Sequence, residues 1–157
     1  MTPVTFTCRA TVRQTPDEIL AGITDLARWA EFEGFGILPG IEEARWETRT
    51  EDMVGSRIAV RNTDGSSHVE EIRVWEPERV VMVLQDFVPP LSRIATHFVE
   101  EWRLERVGEE TRVARGFEMH PRDAGGRAAL WGISLLLRQA IAKQLREMAA
   151  EGEAASG

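Results

Sequence analysis

Between residues 41 and 120 the chain is interrupted at short intervals by residues that end strands, and this punctuation leaves few folds open. Asp64-Gly65 has the composition of a two-residue hairpin turn, Glu76-Pro77 marks a turn, Pro89-Pro90 a longer break and Gly108 a tight connection. The segments they separate, 41–50, 56–63, 67–76, 79–87, 95–107 and 111–120, read as strands. Parallel strands need long crossovers, so strands with such short links pair as an antiparallel meander. One more strand precedes them. Val4, Phe6, Cys8, Ala10 and Val12 alternate with Thr5, Thr7, Arg9, Thr11 and Arg13, which is the period of a sheet with one buried face.

Helical patterns flank the meander. In TPDEILAGITDLARWAEF, Thr15 precedes Pro16 and stands three residues before Glu18, the spacing of a capping box with proline in the first turn. Ile19, Leu20, Ile23, Leu26, Ala27 and Ala30 then recur at helical spacing. Gly22 weakens the middle and Thr24-Asp25 offers a second cap, so this region is one helix or two short ones. GFGILPG, residues 34–40, is a loop. After Pro121, Asp123 stands as a cap, and Leu130, Ser134, Leu137, Ile141, Leu145 and Met148 form an apolar stripe that predicts a helix to about residue 150. The small, polar tail EGEAASG, residues 151–157, is expected to be disordered. The predicted architecture is one α+β domain of residues 1–150, a seven-stranded antiparallel sheet wrapped around a long C-terminal helix, with one or two short helices after the first strand.

Bulk properties narrow the function. A chain of 157 residues buries roughly two-thirds of its unfolded surface. With 43% hydrophobic and 29% charged residues, it has the composition of a chain with a real core. A formal charge of −7 argues against gripping phosphate backbones, so no nucleic-acid partner is expected. The single cysteine, Cys8, cannot form an intramolecular disulfide, and MTPVTFTCRA lacks the pattern of a signal peptide, which together point to the cytoplasm. The longest apolar runs, 80–84 and 130–137, fall far short of the roughly 20 residues that span a bilayer, so no transmembrane segment is expected.

Catalytic signatures are sparse. His68, His97 and His120 lie on separate segments without metal-ligand spacing, and there is no GxSxG elbow, P-loop or GxGxxG, so neither a metal nor a cofactor is expected. Gly125-Gly126 reads as a flexible entry to the last helix, and Cys8, on the face of Phe6 and Ala10, as a small buried hydrophobe. The chain has no tyrosine, so its aromatic groups supply bulk; Trp46, Trp102 and Trp131 either pack in a core or wall a cavity. Two charges break the pattern of the last hairpin. Glu100 shares parity with Phe98 and Trp102, and Arg115 with Val113 and Phe117. A turn at Gly108 sets Leu104 opposite Val113 and Trp102 opposite Arg115, with Glu100 on the diagonal, so the two either pair or touch water inside a cavity. The alternative is a bulge that turns both to solvent. His68 and Glu70 share parity with Ile72 and Val74, whereas Val69 and Trp75 have the other, which leaves the inward face of 67–76 open.

The order of elements resembles the START-like superfamily, also called the polyketide cyclase/dehydrase or helix-grip fold. The resemblance is carried by TPDEILAGITDLARWAEF, by Gly40-Ile41 at the second strand, and by VGSRIAVRNTDGSSHVEEIRVWEPERVVM with its Asp-Gly and acidic-Pro turns. It implies a cavity between sheet and last helix that takes lipids, polyketides, sterols, hormones or other apolar molecules, some relatives being cyclases or dehydratases. In that frame Trp46, Ile58, Val60, Phe98, Glu100, Trp102, Arg115, Phe117, Trp131 and Leu135 are expected to line the cavity, and a small hydrophobic molecule is the expected partner. A second reading makes the chain a cyclase or dehydratase in which Glu100 or a histidine moves a proton and Arg115 stabilises an enolate. A third, a protein-interaction module or homodimer, rests on the nearly all-round apolar LWGISLLL.

Overall fold

The computed structural model describes residues 1–156. One seven-stranded antiparallel sheet is formed by β1 (Val4–Val12), β2 (Ile41–Thr48), β3 (Arg57–Asn62), β4 (Ser67–Glu76), β5 (Arg79–Gln85), β6 (Ala95–Val107) and β7 (Glu110–Pro121). The spatial order is β1-β7-β6-β5-β4-β3-β2, so five successive hairpins form the meander, and β1 closes against β7 at the far side. The long helix α2 (Ala124–Ser156) lies over β1, β7 and β6.

The opening helical region splits in two: α1 (Pro16–Thr24) and a 3-10 helix, Leu26–Glu31. Thr15 caps α1, its hydroxyl oxygen accepting from the Glu18 amide at 3.2 Å. The Glu18 carboxylate takes the Thr15 hydroxyl proton, also at 3.2 Å, in place of the backbone amide a full capping box would use. At the start of α2, Asp123 Oδ1 accepts from the Gly126 amide at 2.7 Å. Gly126 is required there for a steric reason, since a Cβ would stand 2.5 Å from the Ile94 carbonyl oxygen; flexibility is not its role. The helix also runs past the expected end, through to Ser156. Residues 151–156 are therefore helical, contrary to the disorder read from their polarity, and tertiary contacts hold this end. The Gln14 side-chain amide donates to the Met148 carbonyl at 2.7 Å, and Glu151 pairs with Arg28 at 2.9 Å. Gly157 lies outside the described residues.

Register decides which side chains face α2. In the β6–β7 hairpin Leu104 faces Val113, Trp102 faces Arg115 and Glu100 faces Phe117, the arrangement expected from a turn at Gly108. The one irregularity of this pair lies between Ala95 and His97, remote from the two charges, so both remain on the inner face. The ambiguity of 67–76 has a physical origin. A register shift between Ile72 and Val74 places Ile72 opposite Met82 and Trp75 opposite Val80, so residues of both parities reach the core from one strand. His68 and Glu70 lie on the Ile72 side of that shift and are largely buried, with side chains 11% and 8% exposed.

On α2 the stripe Leu130, Ser134, Leu137, Ile141 and Leu145 is buried, as its spacing requires. Trp131 and Leu135, expected in the cavity, are instead 60% and 49% exposed. Each follows a stripe residue by one position, about 100° around the helix, which turns it from the sheet.

Candidate ligand-binding site

Ile58 and Val60 from β3, Phe98 and Trp102 from β6 and Phe117 from β7 are all buried on the inner face, and Trp46 from β2 packs half-buried against them. Phe6 stacks on Phe117 with ring centroids 5.1 Å apart, and Phe87, just past β5, packs on Phe98 at 4.8 Å. Within this aromatic wall the sheet carries buried charges. Arg115 donates from Nη2 to Glu100 Oε1 at 2.7 Å and from Nε to the same oxygen at 3.2 Å, both side chains being less than a tenth exposed. The guanidinium stands over the Trp102 ring, 4.1 Å from its centroid, and its Nη1 donates to Gln144 Oε1 on α2. Helix and sheet are thus joined by a polar contact in the middle of an apolar interface.

A second polar group begins two strands away. Asn62 Nδ2 lies 3.3 Å from His68 Nδ1, and His68 Nε2 lies 3.0 Å from Glu70 Oε2. The His68 ring meets Phe87 edge-on at 6.0 Å, so this pair lies against the aromatic wall. Burial pushes the Glu100 carboxyl above the ordinary glutamate range; Arg115 opposes that rise, and the negative charge of Glu70 adds to it.

The site the residues make is therefore an aromatic surface bearing two carboxylates, one guanidinium and a histidine. It brings together Ile58, Val60, Phe98, Glu100, Trp102, Arg115 and Phe117, with Trp46 at its margin, and excludes Trp131 and Leu135. Sequence reasoning missed Gln144, although its place three residues after Ile141 and seven after Leu137 puts it beside the buried stripe. Phe87 ended the expected strand 79–87 and was not singled out; the observed β5 stops two residues earlier, at Gln85.

These side chains pack on one another and leave little of their surface free. A recess of about 10 Å³, water-sized, lies between the segment after the 3-10 helix and α2, lined by Phe32, Gly34, Ala140, Lys143, Gln144 and Glu147. Lys143 Nζ spans it to Glu33 at 2.7 Å. Gln144 both lines this recess and accepts from Arg115. A larger open concavity, about 820 Å³, lies at the arginine-bearing outer face, among Arg9, Thr11, Arg79, Arg103, Glu105 and Arg112.

Elsewhere, Cys8 is buried and its Sγ donates to the Arg138 carbonyl at 3.6 Å; burial pushes the thiol up, away from a reactive thiolate. His97 and His120, distant in sequence, stack with centroids 4.2 Å apart because β6 and β7 pair. Among the described residues no group of three or more His, Cys, Asp or Glu side chains is placed to hold a metal ion, and no helix is long and apolar enough to cross a membrane.

Residues 3–153 match the model of the family described as polyketide cyclase / dehydrase and lipid transport. No curated protein matches the chain. Among solved structures, the di-domain aromatase/cyclase StfQ of the steffimycin biosynthetic pathway superposes with a TM-score of 0.75 at 14% identity, over 99% of this chain and 53% of that one. The Streptomyces aromatase/cyclase ZhuI gives 0.72 at 13% identity, covering 96% of this chain and 94% of its own. A Thermus thermophilus protein gives 0.71 at 14%, covering 98% and 100%. At these identities the likeness is one of fold.

Proposed function

The chain belongs to the polyketide cyclase / dehydrase and lipid transport family, and from that premise we propose that it binds a small, largely apolar molecule on the inner face of the sheet. The observation that carries this reading is the set of charges buried there. A core that served stability alone would gain nothing from Glu70, Glu100 and Arg115, because each must be stripped of water and replacing such groups by packed apolar residues is commonly neutral or stabilising. Kept beneath an aromatic surface, they are suited to orient the polar end of a ligand whose body rests on Phe87, Phe98, Trp102 and Phe117.

Binding on this reading is coupled to opening. The inner-face side chains pack on one another, so on this reading the ligand displaces Gln144 from Arg115 and enters between α2 and the segment that follows the 3-10 helix. The direct test uses N-phenyl-1-naphthylamine, a neutral probe that fluoresces in apolar surroundings. Saturable 1:1 binding with energy transfer from tryptophan is expected, and native mass spectrometry of protein from its own host should detect a co-purifying small molecule. Folded protein that shows neither refutes the proposal.

A second reading, cyclase- or dehydratase-type chemistry, is favoured by one feature. A carboxyl held above its ordinary range beside a guanidinium is an arrangement that supplies a proton while stabilising a developing enolate. Turnover of a poly-β-ketone substrate that is lost in both Glu100→Gln and Arg115→Met would favour it over binding alone.

A further inference from the structure

The buried charges on the inner face do not balance. Among the described residues the buried carboxyl and guanidinium groups there are Glu70, Glu100 and Arg115, two acids and one arginine, with the largely buried His68 beside Glu70. The base is already engaged: Nε and Nη2 of Arg115 donate to Glu100, Nη1 donates to Gln144, and one face of the guanidinium is covered by Trp102. The second acid has no arginine or lysine of its own among the described residues; its partner is His68, whose Nε2 lies 3.0 Å from Glu70 Oε2 and whose Nδ1 is already met by the Asn62 side-chain amide at 3.3 Å.

We infer that this site selects ligands whose polar end donates hydrogen bonds, as a phenol, alcohol or amine does, and rejects those that end in a carboxylate. The inference rests on the binding proposal above and adds the chemistry of the ligand's head group. A donor arriving at Glu70 or at Glu100 meets an acceptor in a site of low dielectric, where such a hydrogen bond is strong. A carboxylate arriving at the same place would add a third carboxyl to two that are already buried and face one guanidinium that is already paired, and bringing like charges together without water is unfavourable. Displacing Gln144 frees Nη1 of Arg115, but Nε and Nη2 still donate to Glu100, so the charge stays paired. The arginines of the outer face cannot correct the imbalance, because Arg9, Arg79, Arg103 and Arg112 lie around a concavity on the other side of the sheet.

Three probes with one apolar body separate the cases: 2-naphthol, 1-naphthylmethylamine and 2-naphthoate, each titrated at pH 7 and each competed against N-phenyl-1-naphthylamine so that only the shared site is read. The naphthol and the amine should displace the reporter at least about tenfold more effectively than the naphthoate, a modest fraction of the cost of like-charge contact. Glu70→Gln, which removes the surplus negative charge and keeps the shape, should bring the naphthol-to-naphthoate ratio towards one. The wild-type panel decides the matter even if that variant does not fold. Naphthoate equal to or tighter than naphthol overturns the head-group inference and leaves the binding proposal standing, whereas failure of the reporter and of all three probes to bind overturns both.

Discussion

Replacing Arg115 by methionine is the perturbation whose consequence is most directly worked from the geometry. Methionine keeps an apolar stem against Trp102 and Phe117 while removing the charge that faces Glu100. At a charge separation of about 4 Å and an effective dielectric near 20, the lost attraction is about 4 kcal/mol. Measured penalties for stranding one member of a buried pair, about 3–5 kcal/mol, agree with that figure. This is a large share of the stability of an ordinary domain, about 5–15 kcal/mol. The pH dependence follows from the direction of the shift. Glu100 has its folded-state pKa raised, so the folded protein holds a proton that the unfolded chain releases, and the stability this contributes is full below the ordinary glutamate range and lost as pH rises through the folded value. Arg115 limits that rise, so its removal lifts the folded value further and carries the loss to higher pH. Urea denaturation followed by tryptophan fluorescence and far-UV circular dichroism should therefore show Arg115→Met weakened by about 3–5 kcal/mol at pH 7 and much less so near pH 4. Glu100→Gln in the Arg115→Met background should recover most of the deficit. A loss below about 1 kcal/mol with no pH dependence would refute the reasoning, because it would mean that water reaches the pair.

Three further outcomes test the fold around the site. Thr15→Ala should lower stability by about 1 kcal/mol through loss of the α1 cap, read as a shift in denaturation midpoint. Gly126→Ala should cost about 1–3 kcal/mol, because its Cβ would press on the Ile94 carbonyl, whereas Gly125→Ala, whose nearest neighbour would be an Asp123 carboxylate oxygen at 3.5 Å, should be neutral or stabilising in the same thermal-melt assay. Trp131→Ser should change stability by no more than about 0.5 kcal/mol and leave reporter affinity unaltered, as befits a side chain that is 60% exposed.

Local chemistry alone determined much of this protein. Turn residues set the strand boundaries, and the short links between strands dictated antiparallel pairing. Counting back from Gly108 placed Glu100 and Arg115 on one face, because a hairpin's register follows from its turn and side chains alternate with period two. The bulge after Ile72 defeats the same rule, and so which face of β4 is buried, and with it the positions of His68 and Glu70, was decided only by pairing with β5. The last helix shows the same division. Its stripe announced which face would be buried, but an apolar run such as LWGISLLL does not say how far a one-sided contact extends, and only docking on β1, β7 and β6 left Trp131 and Leu135 outside. Docking also brought Gln144 to Arg115 and held residues 151–156 in helix through contacts with Gln14 and Arg28, partners more than a hundred residues distant in sequence. Contacts of that range are absent from any local pattern, because the chain makes them only after its loops have closed.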